Sequence, residues 1–307
     1  MSIRTHPAAR FLSRGLGTLL AQAACVATAL AAPLELPPLA DPATAEHHAG
    51  KVVWLEMVTP DLAASKRFYS GLFGWTFRDI HAGKTSYAVA LLGSRPVGGL
   101  HQQAEPATDR RQPAWLAFIA VRDVDAARRT ALEHGAKVAV EPRTYPRRGR
   151  QAVLADPEGA LFGVVASSSG DPADVLVAPG DWIWSSLHAK DPDAEAGFYQ
   201  ALFGYEVFDL PSTDDQEHLI VSSEDYARAS VNSLHRDSSR RRPHWLHYVR
   251  VVDAANVSAR AVSLGGRVLV EPHLDRQGAR VAVVADPTGA PFGLMEWTDT
   301  DGEKEPK

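Results

Sequence analysis

The side chains able to do chemistry in this chain are few, and most fall into two similar groups. Around residue 54 the alternation of a strand would place Trp54, Glu56 and Val58 on one face, and around residue 184 the same alternation would place Trp184, Ser186 and His188 on one face. Glu56 is the candidate catalytic group, because a carboxylate serves as a general base when burial raises its pKa toward neutrality. Trp54 and Trp184 offer indole faces for stacking a planar molecule, while Ser186, His101, His235 and Tyr248 are the candidate polar partners for it. His188, His235 and His247, with Glu296, form the disfavoured alternative, a metal site in the second half. His247 and Tyr248 are adjacent on one expected strand and cannot face the same side. The single cysteine, Cys25, lies in the N-terminal segment, so residues 32–307 contain no thiol nucleophile; a glycine-rich phosphate loop and a nucleophile elbow are also absent.

The elements that must position these groups are set by an internal repeat. At a constant offset of 130, Trp54 matches Trp184, Asp61 matches Asp191, Phe68-Tyr69 matches Phe198-Tyr199, and Leu72-Phe73-Gly74 matches Leu202-Phe203-Gly204. The register returns with Trp115-Leu116 and Trp245-Leu246, Asp123 and Asp253, Glu141-Pro142 and Glu271-Pro272, then Ala155-Asp156-Pro157 and Ala285-Asp286-Pro287. So many tryptophan, glycine and proline matches at one spacing mean a duplicated domain. The halves run over 51–168 and 180–298, joined by a linker at 169–179 and followed by a polar tail at 299–307.

Each half repeats a smaller order. Val52 to Val58 reads as a strand, Asp61 as an N-cap, and Phe68 with Leu72 and Tyr69 with Phe73 pair at i,i+4 on a helix stopped by Gly74. Short strands follow. The order restarts with Trp115 to Val121, a cap at Asp123, a helix to His134 and strands near 137–140, 151–155 and 162–165. The expectation is an α+β fold in which each half is two βαβββ units.

The Phe-Tyr-x-x-Leu-Phe-Gly-Trp run at 68–75, followed about eighty residues later by Asp-Pro-x-Gly-x-x-Phe-Gly at 156–163, resembles the vicinal-oxygen-chelate superfamily of glyoxalases, bleomycin-resistance proteins and extradiol dioxygenases. The resemblance covers both halves. It implies tandem glyoxalase-like domains in which paired units curl a mixed sheet into a cup that holds ligand or metal. It also implies that a divalent metal, where present, would take ligands from the opening strands and from a closing-strand glutamate. Those positions fall on Trp54, Trp184, Leu116, Leu246, Gly163 and Gly293, whose side chains hold no metal. The resemblance therefore points to a small-molecule binder without the usual metal or any other cofactor. The alternatives are a lyase, isomerase or dioxygenase with an atypical site, and a structural or partner-binding role.

Composition narrows the partners. With 45% hydrophobic and 22% charged residues and a net charge of −5, the chain is globular and lacks the basic field that holds nucleic acid. Arg4, Arg10 and Arg14 precede an uncharged run from Leu16 to Ala31 ending in small residues, the pattern of a secretory signal over 1–31. A periplasmic or secreted protein is expected, with lipid anchoring through Cys25 as the alternative. Beyond residue 50 no apolar run is long enough to span a membrane. Residues 32–50, rich in proline, read as a flexible leader. The oligomeric state and the identity of the ligand are left open.

Overall fold

The computed structural model describes residues 34–297 except 83–84, 103–112, 211–217, 235–241 and 276. The first half contains β1 (Val52–Thr59), α1 (Leu62–Phe73), β2 (Thr76–Ala82), β3 (Thr85–Leu92), β4 (Arg95–Gln102), β5 (Trp115–Ala120), α2 (Val124–Glu133), β6 (Lys137–Tyr145), β7 (Gly149–Ala155) and β8 (Leu161–Ser167). The second half contains β9 (Trp182–Ala189), α3 (Pro192–Phe203), β10 (Glu206–Asp209), β11 (His218–Ser223), β12 (Tyr226–Ser233), β13 (His244–Val251), α4 (Ala254–Ser263), β14 (Arg267–Leu274), β15 (Arg280–Ala285) and β16 (Pro291–Glu296).

Helix starts are set by aspartates. Asp61, Asp123, Asp191 and Asp253 each accept a hydrogen bond from a first-turn amide, satisfying donors that would otherwise face no partner. Gly74 and Gly204 end α1 and α3 in the left-handed conformation.

The two sheets have one topology. Their orders are β2-β3-β4-β1-β5-β8-β7-β6 and β10-β11-β12-β9-β13-β16-β15-β14, so the opening strands of the two units lie side by side at the centre and pair antiparallel. Among the described residues every strand pair lies within one half.

Packing, by contrast, crosses between halves. One core joins α1 residues Phe68 and Tyr69 to Val249, Ala261 and Phe292 of the second half, and a second joins Phe162 and Leu154 of the first half to Phe198 and Tyr199 on α3. Tyr69 and Tyr199 each accept a hydrogen bond from a buried indole, Trp115 at 2.9 Å and Trp245 at 3.0 Å. The Asp-Pro-x-Gly turns lock the halves together. Asp156 accepts from the Tyr199 hydroxyl at 3.0 Å, and Asp286 accepts from the Ser65 hydroxyl at 3.2 Å. Each sheet thus turns its helix-bearing face toward the shared core and keeps the opposite face for its cup.

Candidate functional site

In the second cup the register lines polar side chains into rows across adjacent strands. His218 pairs with Asn232, Asn232 with His188, and His188 with His244, which sets four residues of β11, β12, β9 and β13 on one face at one level. One step deeper, Ile220, Ser230, Ser186 and Leu246 form the next row, and deeper still Trp184, Tyr248 and Gly293 form a third. Directly paired residues point to the same side of a sheet.

Hydrogen bonds connect the rows. The Ser186 and Ser230 hydroxyls lie 2.7 Å apart, the Trp184 indole N–H and the Asn232 amide both donate to Ser230 Oγ at 3.2 Å, and Asn232 Oδ1 lies 2.6 Å from His218 Nδ1. The His188 and His244 rings stack with centroids 5.1 Å apart. Tyr248 lies flat across Gly293, where any Cβ would collide with its ring. Burial drives the Tyr248 phenol up to about 12, so it stays protonated as a hydrogen-bond donor. Trp184 is half-buried and Ser186 and Ser230 are buried. These side chains carry no carboxylate and no guanidinium. They supply aromatic faces and neutral hydrogen-bonding groups.

The first cup has the same frame but different contents. Trp54 pairs with Phe118 and Phe118 with Gly163, repeating the deep row of the second cup, and the Phe118 ring covers Gly163 as Tyr248 covers Gly293. Glu56 pairs with Gly99 and Leu116 and accepts from the Tyr87 hydroxyl at 3.3 Å. Burial first, and then the Glu56 carboxylate, hold the Tyr87 phenol far above its ordinary value. Part of the segment read from sequence as a flexible leader is packed into this cup. Leu36 and Leu39 are buried against Trp54, Tyr87 and Phe118, and Arg148 sits with its guanidinium 4.0 Å over the Trp54 ring.

The remaining candidates separate. His101 lies at the rim paired with Val58 and Tyr87, and its structural twin is Asn232 rather than His235, which lies outside the described residues. His247 faces the shared core on the side opposite Tyr248. Its Nδ1 lies 2.9 Å from the Ser185 hydroxyl, and burial pulls its pKa down to about 3, leaving it neutral. Glu296 accepts the Ala254 amide at the start of α4. His188, His247 and Glu296 therefore do not converge. Ser230, Asn232, His218 and His244 are not singled out by sequence, because a polar residue on a strand acquires its neighbours only through register, and Arg148, in the turn between β6 and β7, meets Trp54 only through the fold.

The metal positions implied by the resemblance offer no ligand atom: indole, glycine and leucine occupy them. Among the described residues, three potential donors lie within 4.8 Å of one another only at His48, Asp174 and Glu224, away from both cups. That cluster already contains cations, since Lys51 and Arg228 each reach Asp174 Oδ1 at 2.7 Å and Arg228 also reaches Glu224 at 3.3 Å. A dication there would meet two fixed positive charges at close range. A cavity of about 270 Å³ beside α2, lined by Ala49, Val121, Arg122 and Leu202, brings no set of catalytic groups together.

The fold and its two cups define a tandem glyoxalase-like protein, and the comparisons agree. The family model for the glyoxalase/bleomycin resistance protein/dioxygenase superfamily matches residues 51–164, and that for the glyoxalase-like domain matches 184–295. The chain belongs to this superfamily. It is 30% identical to "Putative glyoxylase CFP32" of Mycobacterium bovis over 83% of this chain and 98% of that one. It is 33% identical to the anthracycline biosynthesis protein DauV of a Streptomyces species, over 80% and 93%. Among solved structures, the Mn(II)-bound glyoxalase of Novosphingobium aromaticivorans superposes with a TM-score of 0.57 at 16% identity, covering 81% of this chain and 83% of that one.

Proposed function

We propose that this protein is an exported binding protein whose second cup holds a planar, oxygen-bearing small molecule without a metal ion. The observation that carries the reading is the row of Trp184, Tyr248 and Gly293, which sets an indole, and a glycine covered by a phenol, where the resemblance would place metal ligands, with Ser186, Ser230 and Asn232 beside them. A ring stacked on Trp184 would lose its hydration while its oxygens replaced water with serine, amide and imidazole partners. The name of the DauV relative points the same way, since anthracyclines are planar and rich in oxygen.

Alizarin, a planar dihydroxyanthraquinone, serves as probe. Removing the indole forfeits roughly 100 Å² of apolar contact at roughly 25 cal/mol per Å², so Trp184→Ala should weaken binding by on the order of tenfold or more. Metal analysis of the same preparation should find no stoichiometric Mn, Fe, Ni or Zn. Alizarin affinity unchanged by Trp184→Ala in a folded chain would remove the second cup as the site.

A second reading, an enzyme of the lyase, isomerase or dioxygenase type, is supported by the name of the CFP32 relative, and the clustered donors it could use among the described residues, His48, Asp174 and Glu224, are ones a metal would have to take from Lys51 and Arg228. Near-stoichiometric metal that disappears in His48→Ala would favour it. Export is tested by the mass of protein from the native host. Loss of residues 1–31 is expected, and retention of that segment would refute export through this signal. A diacylglyceryl group on Cys25 would show anchoring instead.

A further inference from the structure

The two cups come from one duplicated frame, and one of the differences between them is a buried cation in the first. Arg148 is 1% exposed, lies over the Trp54 ring, and donates from Nε to the Pro37 carbonyl at 2.7 Å. Its Nη2 is buried and has no hydrogen-bond partner among the described residues. A guanidinium carries five N–H donors in a planar fork, and leaving a buried one unmet is costly. In the second half the position 130 residues on is Gly278, and among the described residues no cation lies over Trp184.

The group opposite Arg148 is supplied by the chain itself. Leu36, Pro37, Leu39 and Ala40 are buried, and the amides of Leu39 and Ala40 donate to the Ser169 hydroxyl at 3.0 and 3.1 Å. Further on, Thr44 donates its amide to the Ser169 carbonyl and its hydroxyl to the Asp171 carbonyl in the linker, and Gly170 leaves room for Thr44 where a Cβ would collide. The last anchor is ionic, with His48 bonded to Glu224 at 2.8 Å and Lys51 to Asp174 at 2.7 Å. So the leader is fastened from 44 to 51 to structure outside the cup, and its tip enters the cup through two leucines and one carbonyl.

We propose that the first cup is a second ligand site, for a planar aromatic carboxylate, which residues 34–40 occupy and close: the Pro37 carbonyl stands on Arg148 where a carboxylate oxygen would bind. The leucines stand in for the aromatic ring and the carbonyl for one oxygen of the anion. A carboxylate would satisfy Nε and Nη2 together, the two-point geometry that a guanidinium favours and that one carbonyl cannot offer. The ring would replace Leu36 and Leu39 against Phe118 and Tyr87. Binding then competes with the tip, and the apparent affinity is the intrinsic one reduced by the fraction of molecules whose tip is out.

The test uses 2-naphthoate with the full chain in a Trp184→Ala background, so that stacking in the second cup contributes nothing and failure of the second-cup reading leaves this result untouched. Leu36→Ala/Leu39→Ala should raise 2-naphthoate affinity at least tenfold. A peptide of residues 34–42 should displace the probe, and adding Arg148→Met should abolish the gain. Near-ultraviolet circular dichroism checks the fold. Should the double variant not fold, Ser169→Ala, which removes the acceptor for two leader amides and leaves the apolar contacts, should give a smaller gain with the same dependence on Arg148. A folded, tip-weakened chain that binds 2-naphthoate no better than its parent overturns the proposal, and so does a gain that survives Arg148→Met.

Discussion

Glu195 is the residue whose replacement should most change stability with pH. It occupies on α3 the position that Ser65 occupies on α1, and it lies 2% exposed beside Asp156 and Glu158. In the first half the hydroxyl of Ser65 donates to Asp286, whereas in the second half a carboxyl faces another carboxyl. Burial, then repulsion from Asp156, raises Glu195 from 4.5 to about 8. The folded pKa exceeds the unfolded one, so the stability is complete below about 4.5 and is lost as pH rises through about 8. The full displacement corresponds to a ceiling of ~5 kcal/mol, and because the pair shares its proton with Asp156, a loss of ~2–3 kcal/mol between pH 5 and 9 is the working figure. Glu195→Ser rebuilds the arrangement of the first half. Urea unfolding at pH 5, 7 and 9 should show the variant near wild type at pH 5 and more stable by ~2–3 kcal/mol at pH 9. A variant whose advantage is the same at pH 5 and pH 9 would refute a shared proton at this contact.

Trp54→Ala should cost ~3–5 kcal/mol, because the indole is buried under Arg148 and the leader, while the half-exposed Trp184→Ala should cost far less; thermal melts of the two variants check the contrast. Gly293→Ala should destabilise by ~1–3 kcal/mol and weaken alizarin together, since a methyl there must push the Tyr248 ring off the floor of the cup; unchanged melting and binding would contradict the close approach. His48 is pulled down by burial but raised on balance by Glu224 and Glu46, with Asp174 adding to the rise and Lys51 opposing it, so its contribution holds below about 6.5 and is lost as pH rises through its higher folded value. Hydrogen-exchange protection of residues 34–50, corrected for intrinsic rates, should fall over that range in wild type and not in His48→Ala.

What the sequence determined by itself was local and periodic. The offset of 130 fixed the duplication, strand alternation placed Trp54 and Trp184 on matching faces, and Asp61, Asp123 and the glycines marked where helices begin and end. These signals are legible because caps, alternation and i,i+4 pairs depend on neighbours within a few residues. Side-chain alternation also separated His247 from Tyr248, which the structure puts on opposite faces. What needed the tertiary structure was every relation set by register or by docking between the halves. Ser230, Asn232 and His218 join Ser186 and Trp184 only because β11, β12 and β9 pair in one particular register, and a slip of one residue would turn each to the other face. Glu195 meets Asp156 only because the helix-bearing faces pack together. The proline-rich leader carries no periodicity, so nothing local in it announces that Leu36 and Leu39 fill a cup; that follows from Arg148 and Ser169, more than a hundred residues away, meeting the amide and carbonyl groups that an extended, proline-rich backbone leaves unpaired.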